Sequence, residues 1–115
     1  MPEFVARAKE LGMPGVGITD HGNLSGIIEF YRECKKHEIN PNIGIEAYFC
    51  DDRHVKAKPQ TAYGALDGTD KRYYHLTLLA ENNTGYHNLI KASSDSYLTG
   101  HYFKPRMDWD SISEY

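Results

Sequence analysis

Residues 15–26 read GVGITDHGNLSG, and this stretch decides the fold. Val16, Gly17, Ile18 and Thr19 alternate like a short strand that ends in Asp20 and His21. Gly22 and Asn23 then break the extension, because glycine tolerates backbone angles that other residues avoid and asparagine favours turns and helix N-caps. A strand that carries an acid and an imidazole to its carboxyl end and then turns outward into a helix is the unit on which α/β proteins build their sites.

Reading outward, residues 3–11 place Phe4, Ala8 and Leu11 at helical spacing, and Gly12 closes that helix. On the other side, Asn23 is the expected N-cap of a second helix with Leu24, Ile27, Ile28, Tyr31 and Cys34 on one face. Lys35, Lys36 and His37 near its end complement the dipole. Two further strands are expected, NIGIEAYF at 42–49 and YYHLTLLA at 73–80, separated by a polar, glycine-bearing segment, 51–72, that reads as an inserted loop or hairpin. A third helix follows, capped by Asn82 or Thr84 and ended by Gly100, with Tyr86, Leu89, Ile90, Ser93 and Tyr97 as its inner stripe. Residues 101–108 have room for one more strand, and SISEY at 111–115 resembles the first turn of another helix. Strands joined by crossover helices predict an α/β fold with parallel strands and outer helices. Residues 1–115 are then one partial domain, with both ends expected to continue into a larger structure.

Bulk properties narrow the function. The chain has 115 residues, 13 basic against 16 acidic, for a net charge of −3. That is one modest core and no electrostatic drive toward nucleic acid by this segment alone. Cys34 and Cys50 are far apart and in no zinc-ribbon or C-x-x-C spacing, so a reducing cytoplasmic setting is expected. No apolar run long enough to span a bilayer and no secretory leader is present, so no membrane partner is expected.

Strand alternation supplies the site. Val16 and Ile18 point one way; Gly15, Gly17, Thr19 and His21 point the other. The second strand sorts Ile43, Ile45 and Ala47 against Gly44, Glu46 and Tyr48, and the third sorts Tyr74, Leu76 and Leu78 against Tyr73, His75 and Thr77. Each strand therefore has an aliphatic face suited to a helix layer and a small or polar face carrying one metal-competent side chain. A barrel, whose inner face needs no helices, satisfies this better than a doubly wound sheet. His21, Glu46 and His75 form the mixed nitrogen and oxygen donor set that Zn²⁺, Mn²⁺ or Fe²⁺ accept, with Mg²⁺ also possible. Asp20 alternates away from them, so its task is to hold an imidazole or the turn rather than to ligate. Lys104 and Arg106, within YFKPRMD at 102–108, are expected at a phosphate or a domain boundary. His37, His54, His87 and His101 fall on helix surfaces or loops and are expected to face solvent.

The segments RAKELGMPGVGITDHGNLSGIIEFYRECKK, NIGIEAY, YYHLTLLAENNTGYHNLIKASS and HYFKPRMD, in that order, closely resemble the N-terminal PHP (polymerase and histidinol phosphatase) domains of bacterial replicative polymerase alpha subunits. The resemblance implies a distorted (β/α)7 barrel, here a partial one, whose carboxyl-end cleft binds up to three divalent metals. It also implies that His21, Glu46 and His75 are ligands. The family's His-x-His would precede residue 1, and its closing Asp-x-His would follow residue 115. Members differ: in some the cleft is a 3′–5′ exonuclease, in others ligands are lost and the domain is structural. The implied function is DNA replication within a DNA-directed DNA polymerase, with DNA and other replicase subunits as partners. No catalytic side chain of the polymerase reaction itself is expected in this chain. The alternatives are a stand-alone phosphoesterase of the histidinol phosphatase kind and a non-catalytic brace for the polymerase.

Overall fold

The computed structural model describes residues 1–56 and 73–115. The element order is α1 (Pro2–Glu10), β1 (Gly15–His21), α2 (Ile27–Lys36), β2 (Asn40–Phe49), β3 (Tyr74–Leu79), α3 (Asn83–Thr99), β4 (Arg106–Met107) and α4 (Trp109–Glu114). The expected insertion at 51–72 lies, for residues 57–72, outside the described residues.

Among the described residues, β2 is the spine of a four-stranded sheet. β1 runs parallel to its first part, from Gly15 opposite Asn40 to His21 opposite Glu46. β4 runs parallel to its end, with Tyr48 opposite Arg106 and Phe49 opposite Met107. β3 fills the other edge, but antiparallel, with Glu46 opposite Thr77 and Tyr48 opposite His75. The all-parallel expectation is thus corrected to a mixed sheet. Directly opposed residues share a face whatever the direction of the partner strand, so the reversal of β3 leaves the alternation of faces intact.

Among the described residues the helices pack against one face only. Val5 and Ala8 of α1 meet Phe30 and Cys34 of α2 over Val16 and Ile18 of β1. Leu89 and Ala92 of α3 cover Ile45 and Ala47, joined by Met107. Phe30 is fully buried, a burial that stabilises the fold by about 2–3 kcal/mol relative to leaving the ring in water. Ala8, Ile27, Cys34, Leu89 and Ser93 are buried as the helical spacing predicts, but the rest of each expected stripe is shifted. Phe4, Leu11, Ile28, Tyr31, Ile90 and Tyr97 are exposed, while Val5, Phe30, Ala92 and Ser96 are inside. Small side chains let α3 approach the sheet closely, and the bulkier neighbours are rotated outward.

Helix ends follow side-chain chemistry. Asn82 caps α3 by accepting from the Gly85 N–H at 3.0 Å. Asn23 does not cap α2, whose N-cap is Gly26. Its amide instead closes a turn, donating to the His21 carbonyl and accepting from the Ser25 N–H, as asparagine does in Asx turns. α4 starts earlier than the sequence indicated, because Asp108 and Ser111 form a reciprocal capping box ahead of Trp109. Among the described residues no helix is long and apolar enough to cross a membrane.

Candidate metal centre

The helix-free face carries the site. His21 ends β1, Glu46 lies in mid-β2 directly opposite it, and His75 lies in β3 two residues from the partner of Glu46. Period-two alternation in three hydrogen-bonded strands puts all three side chains on one face. The Glu46 carboxylate sits between the imidazoles, one oxygen 3.2 Å from His21 Nε2 and the other 3.4 Å from His75 Nδ1. One donor atom from each residue lies within 4.8 Å of the others. Donors bound about 2.1 Å from a common tetrahedral ion are about 3.4 Å apart, so the donor types and the observed spacing fit a divalent metal. Glu46 keeps 28% of its side chain accessible, and both histidines are more open, so an ion or ligand reaches the cluster from solvent.

The surroundings are aromatic. The ring centroids of His21 and His75 are 5.4 Å apart. Tyr48 lies 5.3 Å from His75, and Tyr73 lies 4.8 Å from Tyr48. Gly22 makes room for Tyr48. It has φ +68°, and a Cβ there would lie 2.6 Å from Tyr48 Cε2 and 3.2 Å from Pro105 Cγ. The glycine after His21 therefore supplies both the left-handed turn and the space for the ring that backs the site.

Asp20 points to the helix side, where its Oδ2 accepts the Gly26 N–H at 2.9 Å. It holds the turn into α2, and no contact joins it to an imidazole among the described residues. Lys104 stands beside the site, its Nζ 5.5 Å from the Tyr48 ring centroid. Arg106 does not: it is buried, with Nε donating to the Gly100 carbonyl and a terminal nitrogen donating to the Arg53 carbonyl. These two nitrogens are committed inside the fold rather than to a phosphate. His54, His87 and His101 are exposed, whereas His37 is half-buried, 3.7 Å from Glu33.

The sequence reading missed a second ionic group. Arg53 donates to Asp108 from its guanidinium at 2.7 Å and from its backbone N–H at 2.8 Å, and also to Thr99. Burial pushes the Asp108 carboxyl up, but hydrogen bonds from Arg53 and Ser111 outweigh it and hold the group below the ordinary carboxylate range. Arg53 lies in the polar segment read as insertion, where no periodicity marks it. The sole signal was Asp108 preceding a helical turn.

The PHP domain family model matches residues 1–115. The chain is 45% identical over 113 residues to the DNA polymerase III subunit alpha of Borreliella burgdorferi, an alignment covering 98% of this chain and 9% of that one. It is 42% identical to the protein of that name in Aquifex aeolicus, over 98% of this chain and 10% of the other. For Treponema pallidum the identity is 36%, over 100% and 9%. The chain thus spans about a tenth of the length of these curated relatives. With the family model matched end to end on a sheet that gathers two histidines and a glutamate on its bare face, this chain belongs to the PHP domain family.

Proposed function

We propose that this chain is the N-terminal PHP segment of a DNA polymerase III alpha subunit, and that His21, Glu46 and His75 hold a divalent ion in a cleft that hydrolyses phosphodiesters, as a 3′–5′ exonuclease does. The observation that carries the reading is the placement of the Glu46 carboxylate between two imidazole nitrogens at 3.2 and 3.4 Å. The relatives' shared name supports the replicative setting, with DNA and other replicase subunits as partners. The helix-free face is what one wall of a distorted seven-stranded barrel presents to its interior, which supports that architecture for the whole domain.

A bound divalent ion would supply the positive charge that polarises a phosphoryl oxygen and activates water. The chain's own residues do the rest. Glu46 contributes the carboxylate and the central position, and His21 and His75 flank it from separate strands whose pairing fixes the backbones that carry them. Asp20 fixes the turn that carries His21 outward.

Elemental analysis of the full-length protein tests this. Wild type should retain Zn²⁺, Mn²⁺, Fe²⁺ or Mg²⁺, and Glu46→Gln should lose metal while folding normally, because the neutral amide is a poorer ligand. Equal metal content in the two proteins would overturn the assignment. Residues 1–115 by themselves should not digest a 3′-labelled single strand even with excess Mn²⁺ or Zn²⁺. Three donors on one sheet face hold one ion, whereas two-metal hydrolysis clamps both attacking and leaving oxygens. Metal-dependent cleavage abolished by His75→Ala would show the short chain to be self-sufficient.

A further inference from the structure

We propose that Lys104 is the positioning residue for the substrate's phosphate at the His21–Glu46–His75 site, its ammonium held in place by the face of Tyr48. This rests on the metal-site reading above and adds to it the group that orients the anion.

Three observations carry it. The Lys104 Nζ stands 5.5 Å from the Tyr48 ring centroid, and that ring is 5.3 Å from the His75 ring and 6.4 Å from the His21 ring. Tyr48 is therefore the shared wall between the ammonium and the metal-competent cluster. Second, Lys104 makes no salt bridge among the described residues. The nearby Arg53 and Arg106 are bound internally to Asp108 and to backbone carbonyls. The ring attracts the charge through its quadrupole but does not neutralise it as a carboxylate would, so the ammonium keeps its charge and N–H donors for an anion.

Third, the mount is rigid and strained. Phe103 adopts φ 61°, a left-handed angle rare for a bulky residue, and the Tyr102 N–H donates to the Lys104 carbonyl at 3.0 Å across it. Such backbone persists where the surroundings fix it. Here they do: Pro105 packs at Gly22, next to His21, and Arg106 is anchored by buried hydrogen bonds. The chain thus ties the lysine's backbone to the same turn that carries the first histidine. A carboxylate, a divalent ion and a fixed ammonium leave net positive charge, which suits a phosphate monoester or diester rather than a neutral substrate.

The test titrates orthophosphate into the metal-loaded full-length protein by calorimetry, with metal content measured on each sample. Lys104→Ala should weaken phosphate binding about tenfold or more, the loss expected for one charge-assisted contact, with metal content unchanged. Lys104→Arg should recover most of it. Tyr48→Phe, which keeps the ring, should bind like wild type, whereas Tyr48→Leu should lose affinity, and adding Lys104→Ala to Tyr48→Leu should cost little more. Orthophosphate binding unaltered by Lys104→Ala, or absent from metal-loaded wild type, overturns this inference and leaves the metal site standing. Wild type devoid of metal overturns the underlying reading and this inference with it.

Discussion

Of the places where the described residues bring acid and base together, the Arg53–Asp108 pair and the Glu46 cluster are built in opposite ways. At Arg53 and Asp108 the partners meet at 2.7 Å, both side chains are nearly buried, and the carboxylate also accepts from the Arg53 and Ser111 backbone N–H groups. At Glu46 the neighbours stand off at 3.2 and 3.4 Å, and all three side chains remain open to solvent. A carboxylate whose lone pairs are saturated by hydrogen bonds holds elements together. One left between two imidazoles has acceptor capacity to spare for a ligand. The first group ties residue 53 to α3 and α4; the second ties nothing that the sheet does not already hold.

The largest expected effect lies at the brace. Asp108→Ala removes the partner of a buried guanidinium and the cap of α4 together, and should destabilise this region by about 3–5 kcal/mol. Hydrogen exchange on the full-length protein should show lost protection across residues 106–114 with metal content kept; unchanged protection would erase the contrast drawn above. Gly22→Ala should cost about 1–3 kcal/mol, since it forces φ +68° on alanine and drives a methyl into Tyr48. It should also lower metal retention, because the displaced ring backs His75.

Acid provides a third probe. The folded pKa of Asp108 is depressed, so its stabilisation is fully present above the ordinary carboxylate range and is lost as pH falls through the depressed value. Exchange at residues 106–114 should therefore accelerate on acidification into that window, beyond the intrinsic pH dependence, and Asp108→Asn should flatten the response. The smallest effect belongs to Glu46→Gln. Without metal, it should change protection in β2 by less than about 0.5 kcal/mol, as contacts between partly exposed polar side chains contribute little. A large loss there would mean that Glu46 also braces the fold.

The site's face was legible in the sequence because a strand's period of two does not depend on its partner's direction. Val16 and Ile18 against Thr19 and His21, and Ile45 and Ala47 against Glu46 and Tyr48, sort identically in parallel and antiparallel sheets. For the same reason the direction of β3 was not legible. Helix faces were read less well, because hydrophobicity favoured Ile28, Tyr31, Ile90 and Tyr97, whereas close approach to a sheet selected Ala92 and Ser96. Asn23 was read as a cap because its chemistry suits one. The turn from His21 to Ser25 uses that chemistry instead, with Asn23 four residues before α2 begins at Ile27. Arg53 gave no sign of itself, since its role comes from residues 46 and 55 positions away.

One edge of β2 is occupied by two strands in succession: β1 as far as Glu46, where the Gly22 N–H still donates to the Glu46 carbonyl, and β4 from Tyr48 onward. The ladder has a splice, and the imidazole of β1 and the ammonium borne just before β4 emerge on either side of it. Extending β1 by two residues would bring it to the positions of β2 that β4 pairs, so both strands could not keep their present registers. The length of one strand therefore helps to set the spacing between the imidazole and the ammonium, with both side chains themselves untouched.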